Sequence, residues 1–179
     1  LVKKGRNVII GICGGISIYK ICELVRLLVK NGWQVKCLMT DEAAKLISPE
    51  LFAYLSKNKV YTDVFTSNND YQPSHINLSS WADKMIIVPA TANMLGKLRA
   101  GLCDDIVSLT ALSIKNEILI CPAMHENMYK NEATQENIKI LRKRGYKFSG
   151  PIRGKLLDNK TAMGHLQKID EIHKVLKKI

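Results

Sequence analysis

One stretch limits what this chain can fold into more than any other: Lys84-Met85-Ile86-Ile87-Val88-Pro89-Ala90-Thr91-Ala92-Asn93. Met85-Ile86-Ile87-Val88 is rich in β-branched residues and predicts a strand buried on both faces. Pro89 has no N–H to give a sheet ladder, so the strand is expected to stop there. Small residues follow, then Met94-Leu95-Gly96-Lys97-Leu98, which predicts a helix starting near Thr91 or Asn93. A buried strand that empties into a turn bearing hydroxyl and amide groups is where open α/β sheets bind ligands. The same residues also suit an ordinary strand-to-helix turn in which Thr or Asn only caps the helix.

The beginning of the chain has the same form. Asn7-Val8-Ile9-Ile10-Gly11-Ile12-Cys13 reads as a short strand running into Gly14-Gly15-Ile16-Ser17. Ile18, Ile21, Leu24, Val25 and Leu28 then recur at helical spacing, Asn31-Gly32 ends the helix, and Trp33-Gln34-Val35-Lys36-Cys37-Leu38-Met39 is a second strand. Glycines let the backbone approach an anion, and a helix N-terminus supplies N–H groups to bind it. The full GxGxxG fingerprint is absent, which argues against a nicotinamide dinucleotide. A mononucleotide phosphate fits the turn, and so does a purely structural role. Thr40 follows the second strand, where its hydroxyl is within reach of the same ligand.

Residues 43–47 and 49–56 read as short helices. Residues 66–73 are polar and turn-rich, a loop expected to deliver His75 ahead of Trp81-Ala82-Asp83. Asp104 and Asp105 are expected to sit at a helix N-terminus rather than in a metal site. The strand Glu117-Ile118-Leu119-Ile120-Cys121 breaks at Pro122-Ala123-Met124-His125. A helix over residues 134–144, a last strand Tyr146-Lys147-Phe148, a loop or lid over 150–164 and an amphipathic helix over 168–179 complete the chain. The class is α/β with a parallel sheet, and no repeat or linker divides residues 1–179, which read as one domain.

The composition, 46% hydrophobic and 24% charged, is that of a soluble globular protein. No secretory signal or membrane-length apolar run is visible, so a cytoplasmic location is expected. The five cysteines are odd in number and lack metal-ligand spacing, as expected of buried free thiols in a reducing compartment. The formal charge of +11 concentrates at residues 139–147 and 174–178 in amphipathic patterns with little aromatic interleaving. That predicts a solvated basic surface, attractive to phosphorylated ligands, rather than a nucleic-acid site.

Four blocks, in order, carry a family resemblance: Gly14-Gly15-Ile16-Ser17-Ile18-Tyr19-Lys20, His75-Ile76-Asn77-Leu78 with Trp81-Ala82-Asp83, Pro89-Ala90-Thr91-Ala92-Asn93, and Pro122-Ala123-Met124 with Met128-Tyr129. Together they resemble the homo-oligomeric flavin-containing cysteine decarboxylases, most of all the branch serving coenzyme A synthesis. The resemblance implies a flavodoxin-like (Rossmann-like) three-layer sandwich, with FMN bound non-covalently between the subunits of a homotrimer or dodecamer. It also implies a fused or separate phosphopantothenoylcysteine synthetase. Gly14, Gly15, Ile16 and Thr40, with Ser17 in the same turn, would hold the phosphate and ribityl end. Thr91, Ala92 and Asn93 would hold the isoalloxazine, with Ala123 and Met124 beside it. His75 matches the active-site histidine, an acid/base and positioning residue that would act across an interface.

The implied reaction is decarboxylation of 4′-phosphopantothenoylcysteine to 4′-phosphopantetheine. Oxidation at the carbon bearing sulfur comes first, carbon dioxide then departs, and the resulting enethiol is reduced. Two positions depart from the pattern. His125 stands where the family has an Asn that contacts the substrate carboxylate. The lid stretch Gly154-Lys155-Leu156-Leu157-Asp158-Asn159-Lys160 has no cysteine to protonate the enethiol. Asp158 occupies about that place, and Asp158, Lys160 and His165 are candidate donors. A chain that stops at the enethiol would instead be a peptidyl-cysteine oxidative decarboxylase. A flavin prenyltransferase fits the motifs less well. A non-catalytic FMN-binding regulatory subunit is a further alternative, and a basic nucleic-acid-binding domain comes last.

Overall fold

In the computed structural model, residues 6–64, 74–155 and 161–179 are described, without the side chain of residue 155. Six strands, β1 (Asn7–Ile12), β2 (Gln34–Met39), β3 (Val60–Tyr61), β4 (Lys84–Ala90), β5 (Ile118–Pro122) and β6 (Lys147–Phe148), form a parallel sheet. The order is β3-β2-β1-β4-β5-β6. Without the two-residue edge strand β3, this is the flavodoxin-like order, which reverses between β1 and β4.

Nine helices are described: α1 (Ile21–Lys30), α2 (Asp41–Leu46), α3 (Pro49–Ser56), α4 (Ser74–Trp81), α5 (Ala92–Ala100), α6 (Ile106–Ser113), α7 (Glu126–Lys130), α8 (Glu132–Lys143) and α9 (Ile169–Lys178). Successive strand side chains point to opposite faces, and the apolar runs therefore feed two cores. Val8, Ile10, Ile12, Val35, Ile86 and Val88 pack with α1, α3 and α9. Ile9, Leu38, Met85, Ile87 and Ile120 pack with α4, α5, α6 and α8. Strands buried on both faces explain why the sequence shows continuous apolar runs rather than alternation. At Gly11 a Cβ would come within 2.7 Å of Val107 Cγ1, so glycine lets α6 lie close against β1.

Several expectations are corrected. β4 does not stop at Pro89 but continues to Ala90. The carbonyl of Pro89 accepts from the Cys13 N–H at 3.3 Å and that of Ala90 from the Ala123 N–H at 3.1 Å, so the missing proline donor does not end the pairing. The register against β5 shifts between Ile87 and Ala90 to accommodate this. His75 is in the first turn of α4, not on a loop; residues 65–73, before it, lie outside the described residues. The 150–164 stretch is not simply a loop, because β7 (Ile152–Lys155) and β8 (Thr161–His165) pair antiparallel there. Cys13, Cys37 and Cys121 are buried as expected, but Cys22 is half-buried and Cys103 exposed; all five are free.

Asp105 caps α6 by accepting from the Val107 and Ser108 N–H groups, both at 2.9 Å. Lys97 bridges Asp104 and Asp105 at 2.7 Å each, so the charge pair serves the helix start, as expected. Among the described residues no helix is long and apolar enough to cross a membrane, and no His, Cys, Asp and Glu cluster could hold a metal.

Candidate flavin cleft

The order reversal opens a crevice beyond the C-terminal ends of β1 and β4, where open α/β sheets take ligands. A cleft of about 390 Å³ lies at this end of the sheet. Gly14, Gly15, Ile16, Ser17, Thr91, Ala92, Ala123, Met124 and His125 line it, nine positions that the sequence singled out. The turn after β1 is tight: a Cβ on Gly14 would lie 2.5 Å from Glu42 Cβ, in the first turn of α2. Gly15 then caps a 3-10 turn, Ile16–Lys20, in extended conformation. Thr91 caps α5, its Oγ1 accepting from the Met94 N–H at 3.3 Å. The loop after β5 supplies Ala123 and Met124, and the N–H of Met124 donates to the Gly164 carbonyl at 3.0 Å.

Three expected site residues among those described, Thr40, Asn93 and His75, are not brought into the cleft. Thr40 is buried and caps α2, accepting from the Ala43 N–H at 3.3 Å, which directs its hydroxyl to the helix. Asn93 is exposed on α5. His75 lies away from the cleft of its own chain, because α4 packs with α6 on the other core. Its Nδ1 is buried without a hydrogen-bond partner among the described residues. Asp158 lies outside the described residues, as does Lys160. His125 does line the cleft and also caps α7, with Nδ1 accepting from the Asn127 N–H at 3.3 Å.

Tyr19, Lys20, Met128, Gly164, His165 and Leu166 complete the lining. Ile16, Tyr19 and Met128 expose 61%, 63% and 49% of their surface, an apolar wall turned to solvent. Lys20 Nζ lies 3.1 Å from His165 Nε2. Among the described residues no Asp or Glu lines the cleft. Behind it, burial pushes the Cys13 thiol up to about 12, against the opposing effect of a backbone hydrogen bond from Thr91, so this sulfur stays protonated near neutral pH.

The flavoprotein family model matches residues 2–179. The chain belongs to the flavoprotein family. It is 40% identical over 173 residues to the coenzyme A biosynthesis bifunctional protein CoaBC of Bacillus subtilis (strain 168), covering 97% of this chain and 43% of that protein. It is 36% identical to the protein of the same name from Borreliella burgdorferi, over 97% of this chain and 44% of that one. The chain therefore spans less than half the length of these curated relatives. Among solved structures, the FMN-dependent cysteine decarboxylase SpaF aligns with a TM-score of 0.85 at 26% identity, over 99% of this chain and 98% of that one. A PPC decarboxylase mutant complexed with pantothenoylaminoethenethiol shares the fold, with a TM-score of 0.88 at 22% identity and 98% coverage of both chains.

A flavoprotein takes a flavin, and the residues present fit one. The cleft volume is that of a small-molecule site. An apolar wall suits a flat ring system, while two helix starts and a lysine suit a polar, anionic tail. Leu166 carried no sequence signal, and Gly164 only that of the end of a loop or lid. They reach the cleft only because the hairpin folds back on the loop after β5. Tyr19, Lys20 and Met128 fell within the family-like blocks, yet spacing gave them no role.

Proposed function

We propose that this chain is an FMN-dependent decarboxylase acting on 4′-phosphopantothenoylcysteine to yield 4′-phosphopantetheine in coenzyme A synthesis. The reading is carried by the switch-point cleft, apolar-walled and, among the described residues, free of acidic lining side chains. Similarity to CoaBC along 97% of the chain supports it.

Gly14, Gly15, Ile16 and Ser17 would hold the phosphate end of FMN, with Thr40 positioning the first turn of α2 rather than touching the ligand. Thr91 and Ala92, at the start of α5, would hold the ring system, with Ala123 and Met124 beside it and Asn93 offering its backbone N–H. FMN held there would supply redox chemistry, an electron sink for oxidation at the carbon bearing sulfur and an electron source for the final reduction. The chain's own side chains bind, orient and exclude water. Ile16, Tyr19, Met128 and Leu166 close the apolar side. His125 accepts at Nδ1, which leaves its proton on Nε2, and it would donate to the substrate carboxylate. His75 is proposed as acid and base for the cleft of a neighbouring copy in a homotrimer or dodecamer, which accommodates its distance from its own cleft. A synthetase, fused or separate, would supply the phosphorylated thiol substrate.

A second reading has its own support. The segment over residues 154–160 holds no cysteine, and the 26% identity to SpaF extends over 99% of the chain. A peptidyl-cysteine oxidative decarboxylase would need no final reduction. Chromatography of the flavin released from purified protein, with carbon dioxide measured on adding 4′-phosphopantothenoylcysteine, tests the first reading. FMN and substrate-dependent carbon dioxide support it; FMN without carbon dioxide removes it.

A further inference from the structure

Three of the residues lining the cleft, Gly164, His165 and Leu166, end β8 or directly follow it, so the lining is complete only while the β7–β8 hairpin is seated. The two strands form a sheet of their own, separate from the six-stranded one. A lone pair of strands of four and five residues is marginal in water, so its place against the cleft depends on what it docks to.

The docking groups come from a bulge. Ile152 pairs with His165 but Arg153 with Met163, which leaves Gly164 as the extra residue on β8, at φ +125. A bulge interrupts the ladder and turns backbone groups away from the partner strand. Here the segment after β5 takes up two of them. The Gly164 carbonyl accepts from the Met124 N–H at 3.0 Å, and the Met163 N–H donates to Glu126 Oε1 at 3.4 Å. The second bond is the one made by a side chain. Glu126 opens α7, and the same Oε1 lies 2.9 Å from Lys130 Nζ, one turn further along. Lys130, then the Met163 N–H, and more weakly Arg153 on β7, hold the Glu126 carboxyl below its usual range. The acceptor is therefore charged near neutral pH, and a charged acceptor makes the stronger bond.

We propose that Glu126 is a positioning residue of the cleft, which anchors the bulge at Met163 and Gly164 and so sets where His165 and Leu166 stand against a bound ligand. Glu126 does not itself line the cleft; it acts through the hairpin. The contrasting role, an acid that only stabilises the start of α7 or pairs with Lys130, depends on its charge. Anchoring depends on its acceptor oxygen. Glutamine keeps the oxygen and loses the charge, which separates the two. The choice of 4′-phosphopantetheine as a probe rests on the decarboxylase reading; the anchoring does not.

The test uses the full chain as wild type, Glu126→Ala, Glu126→Gln and Lys130→Met. Hydrogen exchange over residues 161–166 of the FMN-loaded protein, read by mass spectrometry, reports the seating of β8. Calorimetry on the same protein gives the affinity for 4′-phosphopantetheine, and fluorescence titration of flavin-stripped protein gives that for FMN. None of these needs turnover. Glu126→Ala is expected to speed exchange in that segment by about tenfold and to weaken at least one ligand by about threefold or more, as loss of a charged hydrogen-bond acceptor would. Glu126→Gln should recover most of both effects, and Lys130→Met, which leaves the acceptor in place, should show little of either. Unchanged exchange in Glu126→Ala overturns the anchor, and faster exchange with both affinities intact overturns the positioning role. A Glu126→Gln variant no better than Glu126→Ala, or a Lys130→Met variant as impaired, assigns the effect to charge and also overturns it. A wild-type protein that binds FMN but not 4′-phosphopantetheine contradicts the decarboxylase reading, and the FMN affinities then decide the positioning role alone.

Discussion

Met124 and Gly164 clamp the cleft. The Met124 N–H donates to the Gly164 carbonyl at 3.0 Å, and a Cβ on Gly164 would lie 2.0 Å from the Met124 carbonyl oxygen. Gly164 also has φ +125, a conformation that disfavours any side chain. Gly164→Ala is therefore expected to push β8 off the loop after β5. The expected cost is about 1–3 kcal/mol, with weaker flavin retention. Thermal unfolding and flavin content measured on the same preparation check both effects.

Asp105 holds the start of α6 through two N–H groups and through the capping box it forms with Ser108. Asp105→Ala is expected to cost about 1–2 kcal/mol, read as a fall in Tm. Asp104→Ala, which removes only an exposed partner of Lys97, is expected to change Tm little.

The thiols make a pH prediction. Burial raises both Cys13 and Cys37 from 9.0 to about 12, and Cys121 is raised by the same cause. Between pH 9 and 12 the unfolded chain releases these protons while the folded chain keeps them. Stability is thus unaffected by these groups below pH 9 and falls as pH rises through that window. Urea titrations at pH 8 and 10.5 should show the loss, and replacing Cys37 with Ala should shrink it. At pH 8 a thiol reagent should label Cys103 first and leave Cys13, Cys37 and Cys121 unlabelled until the chain unfolds.

His75→Asn is expected to lower carbon dioxide release by about 100-fold or more while leaving flavin content normal, if His75 is the acid and base. Full turnover in this variant would remove that role.

The β1 and β4 turns were legible because strand, glycine or small-residue turn and helix cap all lie within a few residues. Thr91 caps α5 where the sequence placed a cap. The extension of β4 past Pro89 is not legible in the sequence, because only the paired structure shows its carbonyl in use. His75 looked like a loop residue because α4 has almost no amphipathic pattern. The β7–β8 hairpin is not legible in the sequence, because its glycines and lysines read as a loop. Lys20 and His165 meet across 145 residues, a contact that no local spacing encodes.

The most direct measurement is the mass of the product after anaerobic incubation of the FMN-loaded protein with 4′-phosphopantothenoylcysteine. The account predicts loss of carbon dioxide alone, giving 4′-phosphopantetheine. Loss of carbon dioxide together with two hydrogens would contradict the final reduction and favour the oxidative reading. Unchanged substrate would contradict the account as a whole.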